Sequence, residues 1–204
     1  VPPVSSTEID IGTTGRKHVA LTFDAGGDVA PAATILSILK NRGVHATWFF
    51  TGVWAQQDPT LVRQVADGGF EIGNHTMTHT DLATVPGSEE CKQLNQADTT
   101  ISSITGRSTT RPYFRPPYGS RNTQIRQVAA NLGYRTVMWT IDTLDWQQDS
   151  TPQRILQIIT DNLTPGAIIL MHAGSVSESQ ALDQVITYLQ AQGYTLDTIS
   201  QVIQ

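Results

Sequence analysis

Short apolar runs alternate along the chain with longer segments in which apolar residues recur at helical spacing. Residues 19–23 and 46–50 are strand-like, and residues 32–40 between them carry Ile35, Leu36 and Leu39 on one predicted helical face. Further strands are predicted at residues 70–72, 113–115, 134–139, 167–171 and 194–196. This repetition predicts an α/β fold in which successive βα units form a parallel sheet.

The punctuation between these segments supports the same interpretation. Asp58-Pro59 and Thr151-Pro152 each pair a helix-capping side chain with a proline suited to the first helical turn. With about seven βα units, a single-domain barrel short of eight strands is favoured, and an open doubly wound sheet is the alternative. The open sheet is weakened because no glycine-rich dinucleotide fingerprint follows the first strand. Residues 1–16 precede the units and are predicted to be a tail or linker remnant.

Composition narrows the class of protein. The net charge of −5 and the absence of any basic run argue against a nucleic-acid partner. The apolar runs are too short for membrane insertion, and a single cysteine, Cys91, excludes an internal disulfide and a multi-cysteine zinc site. Only 15% of the residues are charged, which fits a secreted or cell-wall-associated protein. We expect a monomer.

Reactive side chains follow the predicted strands at their carboxyl ends. They are Asp24, His75, His79, Arg115, Asp142, Asp145 and His172. In a parallel barrel all these strand ends open onto one face, which is where barrel enzymes keep their active sites. The sequence therefore predicts that these groups meet in one cleft.

His75 and His79 are the candidate metal ligands. Their spacing of four would place both imidazoles on one side of a helical turn. The segment lacks the glutamate of the zincin motif, so a general base has to come from elsewhere. Asp24 is the candidate for that role.

Two further segments carry candidate chemistry. Arg115 could hold a carboxylate ionised, and the two prolines after it fix the direction of the Tyr118 amide, a candidate oxyanion donor. A plain structural turn is the alternative for this segment. A buried carboxylate beside His172 would raise the pKa of that imidazole and suit it to act as a general acid. Trp146 could stack on a sugar ring, although a helix cap with a core tryptophan would also explain Asp142 to Trp146.

Taken in order, these motifs resemble the polysaccharide deacetylases of carbohydrate esterase family 4, the NodB-homology domain. The similarity runs from residue 17 to residue 204, through Thr22-Phe23-Asp24, residues 75–79, 115–118, 142–146 and 170–172. The resemblance implies a distorted (β/α)₇ barrel and one divalent metal, most simply Zn²⁺, with Co²⁺, Mn²⁺ or Ni²⁺ as alternatives.

The resemblance also implies a role for each matching residue. Asp24 is then the base, oriented by Arg115, and His172 is the acid, tuned by Asp145. His75 and His79 bind the metal, and the Tyr118 amide helps to bind the oxyanion. The implied reaction is hydrolysis of acetyl groups on a chitin-like, peptidoglycan or acetylxylan polymer.

One position departs from the family's pattern. A second aspartate usually follows the first and binds the metal, but here Ala25 follows Asp24. Either water takes the place of this ligand, or Asp28 reaches in across Gly26-Gly27. Asp28 could instead be a helix cap.

Three functions remain open from the sequence. An N-deacetylase acting on N-acetylglucosamine polymers is the first, and an O-acetyl xylan esterase is its rival among hydrolases. The third is a carbohydrate-binding barrel with impaired catalysis, which the missing aspartate keeps open. The retention of Asp24, Arg115 and His172 argues against the third, since a binding protein needs neither base nor acid.

Overall fold

Strands and helices alternate through residues 4–204, the part of the chain that the computed structural model describes. The strands are β1 (His18–Ala25), β2 (Thr47–Phe50), β3 (Glu71–Asn74), β4 (Tyr113–Phe114), β5 (Arg135–Thr136), β6 (Ile141–Asp142), β7 (Ile168–His172) and β8 (Thr195–Asp197). The helices are α1 (Ala32–Arg42), α2 (Gly52–Gln57), α3 (Pro59–Asp67), α4 (Gly87–Thr105), α5 (Thr123–Asn131), α6 (Pro152–Asn162), α7 (Val176–Ala191) and α8 (Ile199–Val202). Within this range, no helix has the length and apolarity needed to cross a membrane.

The strands form one parallel, curled sheet. Its order is β5-β4-β3-β2-β1-β7-β6, and β8 pairs with the start of β1. Every strand pair is parallel, as the βα repetition requires. The predicted single-domain (β/α)₇ barrel is therefore confirmed, in the form of a half-barrel with helices packed against the sheet.

The alternation of side chains along β1 separates the core into two layers. Leu21 and Phe23 join the large cluster formed with the surrounding helices, where the Phe23 and Trp48 ring centroids lie 5.1 Å apart. Ala20 belongs to a smaller cluster with Phe49 and Ile168. Thr22 and Asp24 alternate with these apolar residues and are buried with them. A central strand thus carries polar groups into the barrel, where they require polar partners.

The helix boundaries follow the predicted capping residues. The Asp58 carboxylate accepts a hydrogen bond from the Leu61 N–H at 2.9 Å, and the Thr151 hydroxyl accepts one from the Arg154 N–H at 3.2 Å. A proline occupies the first turn of both helices. These local signals start α3 and α6 where the sequence predicts.

The segment before β1 packs against the barrel. Ile9 is 4% exposed and forms a parallel bridge with Val137, accepting a hydrogen bond from the Met138 N–H at 2.7 Å. Its side chain belongs to the smaller apolar cluster of Ala20, Phe49 and Ile168, which also contains Val202. Ile9 thus pairs with residues 137–138, which connect β5 and β6, the strands at the two ends of the sheet. The domain boundary at residue 17 stays a prediction.

The strand predicted at residues 134–139 is wrong in extent. Only residues 135–136 of it form a strand, β5, and the next strand, β6, begins beyond it at Ile141. The carbonyls of Val137 and Met138 accept hydrogen bonds from the Arg115 guanidinium instead of a neighbouring strand. A buried charge therefore interrupts the ladder at this point.

Candidate active site

The predicted reactive side chains converge at the carboxyl ends of the strands. Asp24 and His172 lie opposite each other in the register of β1 and β7, and His75 and Arg115 directly follow β3 and β4. A cleft of about 490 Å³ opens at this face. It is lined by Asp24, Gly26, Gly27, His75, His79, Tyr118, Gly119, Trp139, Asp142, Trp146, Leu170 and His172.

Asp24 is held by a wholly buried arginine. The Arg115 Nη1 donates to Asp24 Oδ1 at 2.8 Å and to the Thr22 hydroxyl at 2.9 Å. Burial raises the pKa of Asp24, but the Arg115 guanidinium, with smaller effects from the His75 and His172 imidazoles, outweighs burial and leaves the pKa below its ordinary value. The carboxylate is therefore ionised at neutral pH, with Oδ2 facing His75.

His75 has the orientation of a metal ligand. Its Nδ1–H donates to the Arg115 carbonyl at 2.7 Å, so Nε2 keeps a free lone pair, 3.5 Å from Asp24 Oδ2. Burial lowers the pKa of His75, and burial together with His75 lowers that of His79 to about 4. The two ring centroids are 4.9 Å apart. Two neutral imidazoles beside a carboxylate fit a divalent metal such as zinc.

The helical turn expected at residues 75–79 is wrong. Thr76 and His79 have φ values of 70° and 59°, which belong to the left-handed region. The turn is held by side chains, because Asn74 accepts from the Thr76 N–H at 2.9 Å and the Thr76 hydroxyl accepts from the His79 N–H at 3.1 Å. The imidazoles meet through a strained loop rather than through helical periodicity.

His172 is paired with Asp145 on the other side of the cleft. Its Nδ1 lies 2.7 Å from Asp145 Oδ1, and its backbone N–H donates to Asp145 Oδ2 at 2.8 Å. Burial lowers the pKa of His172, but Asp145 and then Asp24 and Asp142 outweigh it and raise the pKa above its ordinary value. This imidazole can carry a proton near neutral pH.

Tyr118 and Trp146 lie at the rim of the cleft. Tyr118 has a φ of 60°, and within residues 4–204 no acceptor takes its N–H. A free amide at the mouth of the cleft suits an oxyanion donor. The Tyr118 and Trp146 side chains are 72% and 58% exposed, which leaves both aromatic rings available to a ligand.

Ala25 and Asp28 are not among the residues that line the cleft. Ala25 is wholly buried in the large apolar cluster that contains Leu21 and Phe23. Asp28 accepts a hydrogen bond from the Ala30 N–H at 3.1 Å and lines a neighbouring groove. Within the described chain, no group of three or more His, Cys, Asp or Glu side chains is placed to hold a metal. Asp28 thus lines the groove beside the cleft and does not line the cleft that holds His75 and His79, and the choice between water and Asp28 stays a prediction.

Several groups at the site were missed by the sequence reasoning. Thr22 and the carbonyls of Val137 and Met138 complete the hydrogen bonds of Arg115. Glu178, in the first turn of α7, is wholly buried, and neither of its carboxyl oxygens has a hydrogen-bond partner in residues 4–204. Burial and the neighbouring Asp145 raise the pKa of Glu178 well above its ordinary value. Of these groups, only Thr22 had a signal in the sequence, because a polar residue within an apolar strand requires a polar partner.

The fold and the site define a parallel (β/α)₇ barrel in which a carboxylate held by an arginine and an imidazole held by a carboxylate line one cleft, together with two further imidazoles. Residues 11–137 match the polysaccharide deacetylase family. The chain belongs to this family, carbohydrate esterase family 4.

Named relatives cover most of the chain. The peptidoglycan-N-acetylmuramic acid deacetylase PdaA of Bacillus subtilis is 33% identical over 95% of this chain and 74% of its own length. The chitooligosaccharide deacetylase of Azorhizobium caulinodans is 33% identical over 92% of this chain and 95% of its own.

Solved structures agree with the fold along nearly the whole chain. A carbohydrate esterase family 4 pseudoenzyme from Bacillus anthracis superposes with a TM-score of 0.92 at 33% identity, covering 98% of this chain and 70% of the other. A mutant of that pseudoenzyme with restored enzymatic activity gives the same TM-score at 34% identity, covering 98% and 72%. The family thus includes both active and inactive barrels of this shape.

Proposed function

We propose that this protein is a metal-dependent polysaccharide deacetylase that removes N-acetyl groups from polymers of N-acetylglucosamine. One observation carries the proposal: Asp24, fixed by Arg115, and His172, fixed by Asp145, face the same cleft. A base kept ionised and an acid kept protonated at the same pH are the two groups that amide hydrolysis needs. The deacetylase relatives named above support the same reaction.

The residues of the cleft divide the reaction between them. Asp24 accepts a proton from the attacking water, while Arg115 keeps the carboxylate oriented. The tetrahedral oxyanion receives a hydrogen bond from the Tyr118 N–H, and one such donor contributes about 3 kcal/mol. His172 protonates the departing amine, so that acetate and the free amino sugar leave. Both protons therefore move between named side chains and the reactants.

His75 and His79 would hold the divalent metal, with Zn²⁺ as the first candidate. When bound, such a metal supplies Lewis-acid polarisation of the acetyl carbonyl. His75 is prepared for this role by its Nδ1–H bond to the Arg115 carbonyl. The lowered pKa of His79 keeps that imidazole neutral as well.

The test is acetate release from N-acetylchitooligosaccharides, acetylxylan and peptidoglycan, each with zinc and with a chelator. We expect zinc-dependent release from the N-acetylglucosamine substrates. Asp24→Asn, which cannot take the proton, is the matched inactive control and should lose about 10²- to 10⁴-fold in rate.

Two results would contradict the proposal. Release from acetylxylan alone would identify an O-acetyl esterase. Oligosaccharide binding without release from any substrate would identify an impaired barrel, an outcome that the pseudoenzyme relative makes worth testing.

A further inference from the structure

A second groove runs beside the cleft and is continuous with it. It has a volume of about 350 Å³, and Gly27, Trp146 and His172 line both spaces. We call it the Asp28 groove. Its other lining residues are Asp28, Asp145, Gln147, Gly174, Ser175, Val176 and Ser177. A polymer chain that places one sugar over His172 would extend directly into this groove.

The groove carries a negative charge that no cation balances. The Asp28 carboxylate is exposed, and its one hydrogen bond, from the Ala30 N–H, leaves the other oxygen available. Asp145 is already paired with His172. No lysine or arginine lines the groove or the cleft in the described residues. Arg154 donates to the groove residue Gln147 at 2.8 Å from outside the lining, and its charge is paired with Asp149 at 2.8 Å.

The walls of the groove suit a sugar ring. Trp146 is 58% exposed and borders both spaces, so its indole can contact a sugar in either of them. Val176, which is 60% exposed, adds an apolar side chain to the lining. The groove therefore combines an aromatic surface, an apolar surface and a free carboxylate.

We propose that the Asp28 groove is a subsite for a glucosamine unit, and that its free ammonium pairs with Asp28 while the adjoining N-acetylglucosamine is deacetylated. This inference rests on the proposed function and makes Asp28 a specificity-determining residue. An ammonium group is the only charged group of a deacetylated sugar, and it is complementary to an unpaired carboxylate. Each deacetylation would then create the preferred neighbour for the next.

A neighbouring sugar that carries a carboxylate fits the groove poorly. Such a group, as on muramic acid, would be repelled by Asp28, and His172, the cationic group that lines the groove, is already paired with Asp145. The charges in the groove thus favour a chitin-like chain over one that alternates with an acidic sugar.

The experiment compares two substrates of equal length. One is fully acetylated chitopentaose, and the other has a single glucosamine beside the reacting unit, placed in turn on either side. We expect kcat/KM to be about threefold to fivefold higher for the second substrate in one of the two placements, as for an exposed ion pair. Raising the salt to about 0.5 M should reduce this preference by screening.

Asp28→Asn is the variant that tests the assignment. The amide can still accept from the Ala30 N–H but carries no charge, so the ratio of the two kcat/KM values should fall to about one. The control is Asp161→Asn, an exposed carboxylate outside both the groove and the cleft, in which the ratio should persist.

Two outcomes would overturn the subsite: a wild-type ratio of one, or a ratio that persists in Asp28→Asn. If the ratio persists while kcat/KM falls equally on both substrates, Asp28 acts at the reacting centre. If no substrate is deacetylated, the proposed function fails separately. The subsite is then tested by calorimetric binding of the two pentasaccharides, where Asp28→Asn should remove the difference in affinity.

Discussion

At the scale of single residues, two ion pairs shift the pKa values of the two groups that we propose as base and acid, Asp24 and His172. Arg115 lowers the pKa of Asp24, and Asp145 raises that of His172, although burial acts in the opposite direction on each. The carboxyl and the imidazole are thereby driven toward opposite charges within one cleft.

His172→Ala should harm N-acetyl substrates more than aryl acetates. An amine leaves poorly without a proton, whereas an aryl oxide needs little protonation. We expect a loss of about 10²-fold or more on the amide and a much smaller loss on the ester. Steady-state rates on a chitooligosaccharide and on 4-nitrophenyl acetate would check this. Equal losses on both substrates would assign His172 to another task.

The pH dependence has a definite sign. The pKa of His172 is raised in the folded protein, so activity that needs its proton is present at lower pH and declines as pH rises through the raised value. Asp145→Asn removes the neighbouring charge and should move this alkaline decline of kcat/KM to lower pH. A profile that keeps its alkaline limb in place would contradict the assignment of Asp145.

Zinc affinity distinguishes the two candidates, water and Asp28, for the ligand that replaces the family's second aspartate at Ala25. Because Asp28 lies in the neighbouring groove, Asp28→Ala should change zinc affinity less than about threefold, whereas loss of the ligand His79 should cost at least about tenfold. Titration against a chromogenic chelator measures both. A tenfold loss in Asp28→Ala would make Asp28 a ligand.

At the scale of elements, strand ends were easier to predict than loop shapes. The placement of Asp24, Arg115 and His172 follows from parallel strands alone. The turn that carries His75 and His79 could not be predicted, because Thr76, whose β-branched side chain disfavours left-handed backbone, adopts that conformation there, as does His79. The short β5 and β6 depend on where the Arg115 guanidinium bonds, a contact between distant parts of the chain.

The start of α7 links a helix cap to the site. The Ser175 hydroxyl accepts from the Glu178 N–H at 3.1 Å and donates to the Asp145 carbonyl at 3.1 Å. Ser175→Ala should lower the free energy of unfolding by about 1 kcal/mol, a typical cost of losing a cap. Denaturant unfolding measures this. The matched control is Thr151→Ala, which removes the cap of α6 without a bond to the site, so only Ser175→Ala should also reduce kcat.

At the scale of the whole molecule, the segment before β1 contributes to the barrel. Ile9→Ala should destabilise the fold by about 2–4 kcal/mol, because most of a buried side chain is removed from the smaller apolar cluster. Ile11→Ala is the control: Ile11 is 40% exposed, so its loss should cost much less. Thermal or denaturant unfolding of both variants gives the comparison. Equal stabilities would show that the segment is dispensable.

The central position of β1 has a consequence for biosynthesis. β1 pairs with β2 early in the chain, but its partners on β7 and β8, such as Ile168 for Ala20 and Thr195 for His18, are made much later. At roughly 5–20 residues per second, a ribosome needs about ten seconds or more to reach them. During that interval β1 has a strand partner only on its β2 side, so the backbone N–H and C=O groups that later pair with β7 and β8 stay open to pairing with another chain.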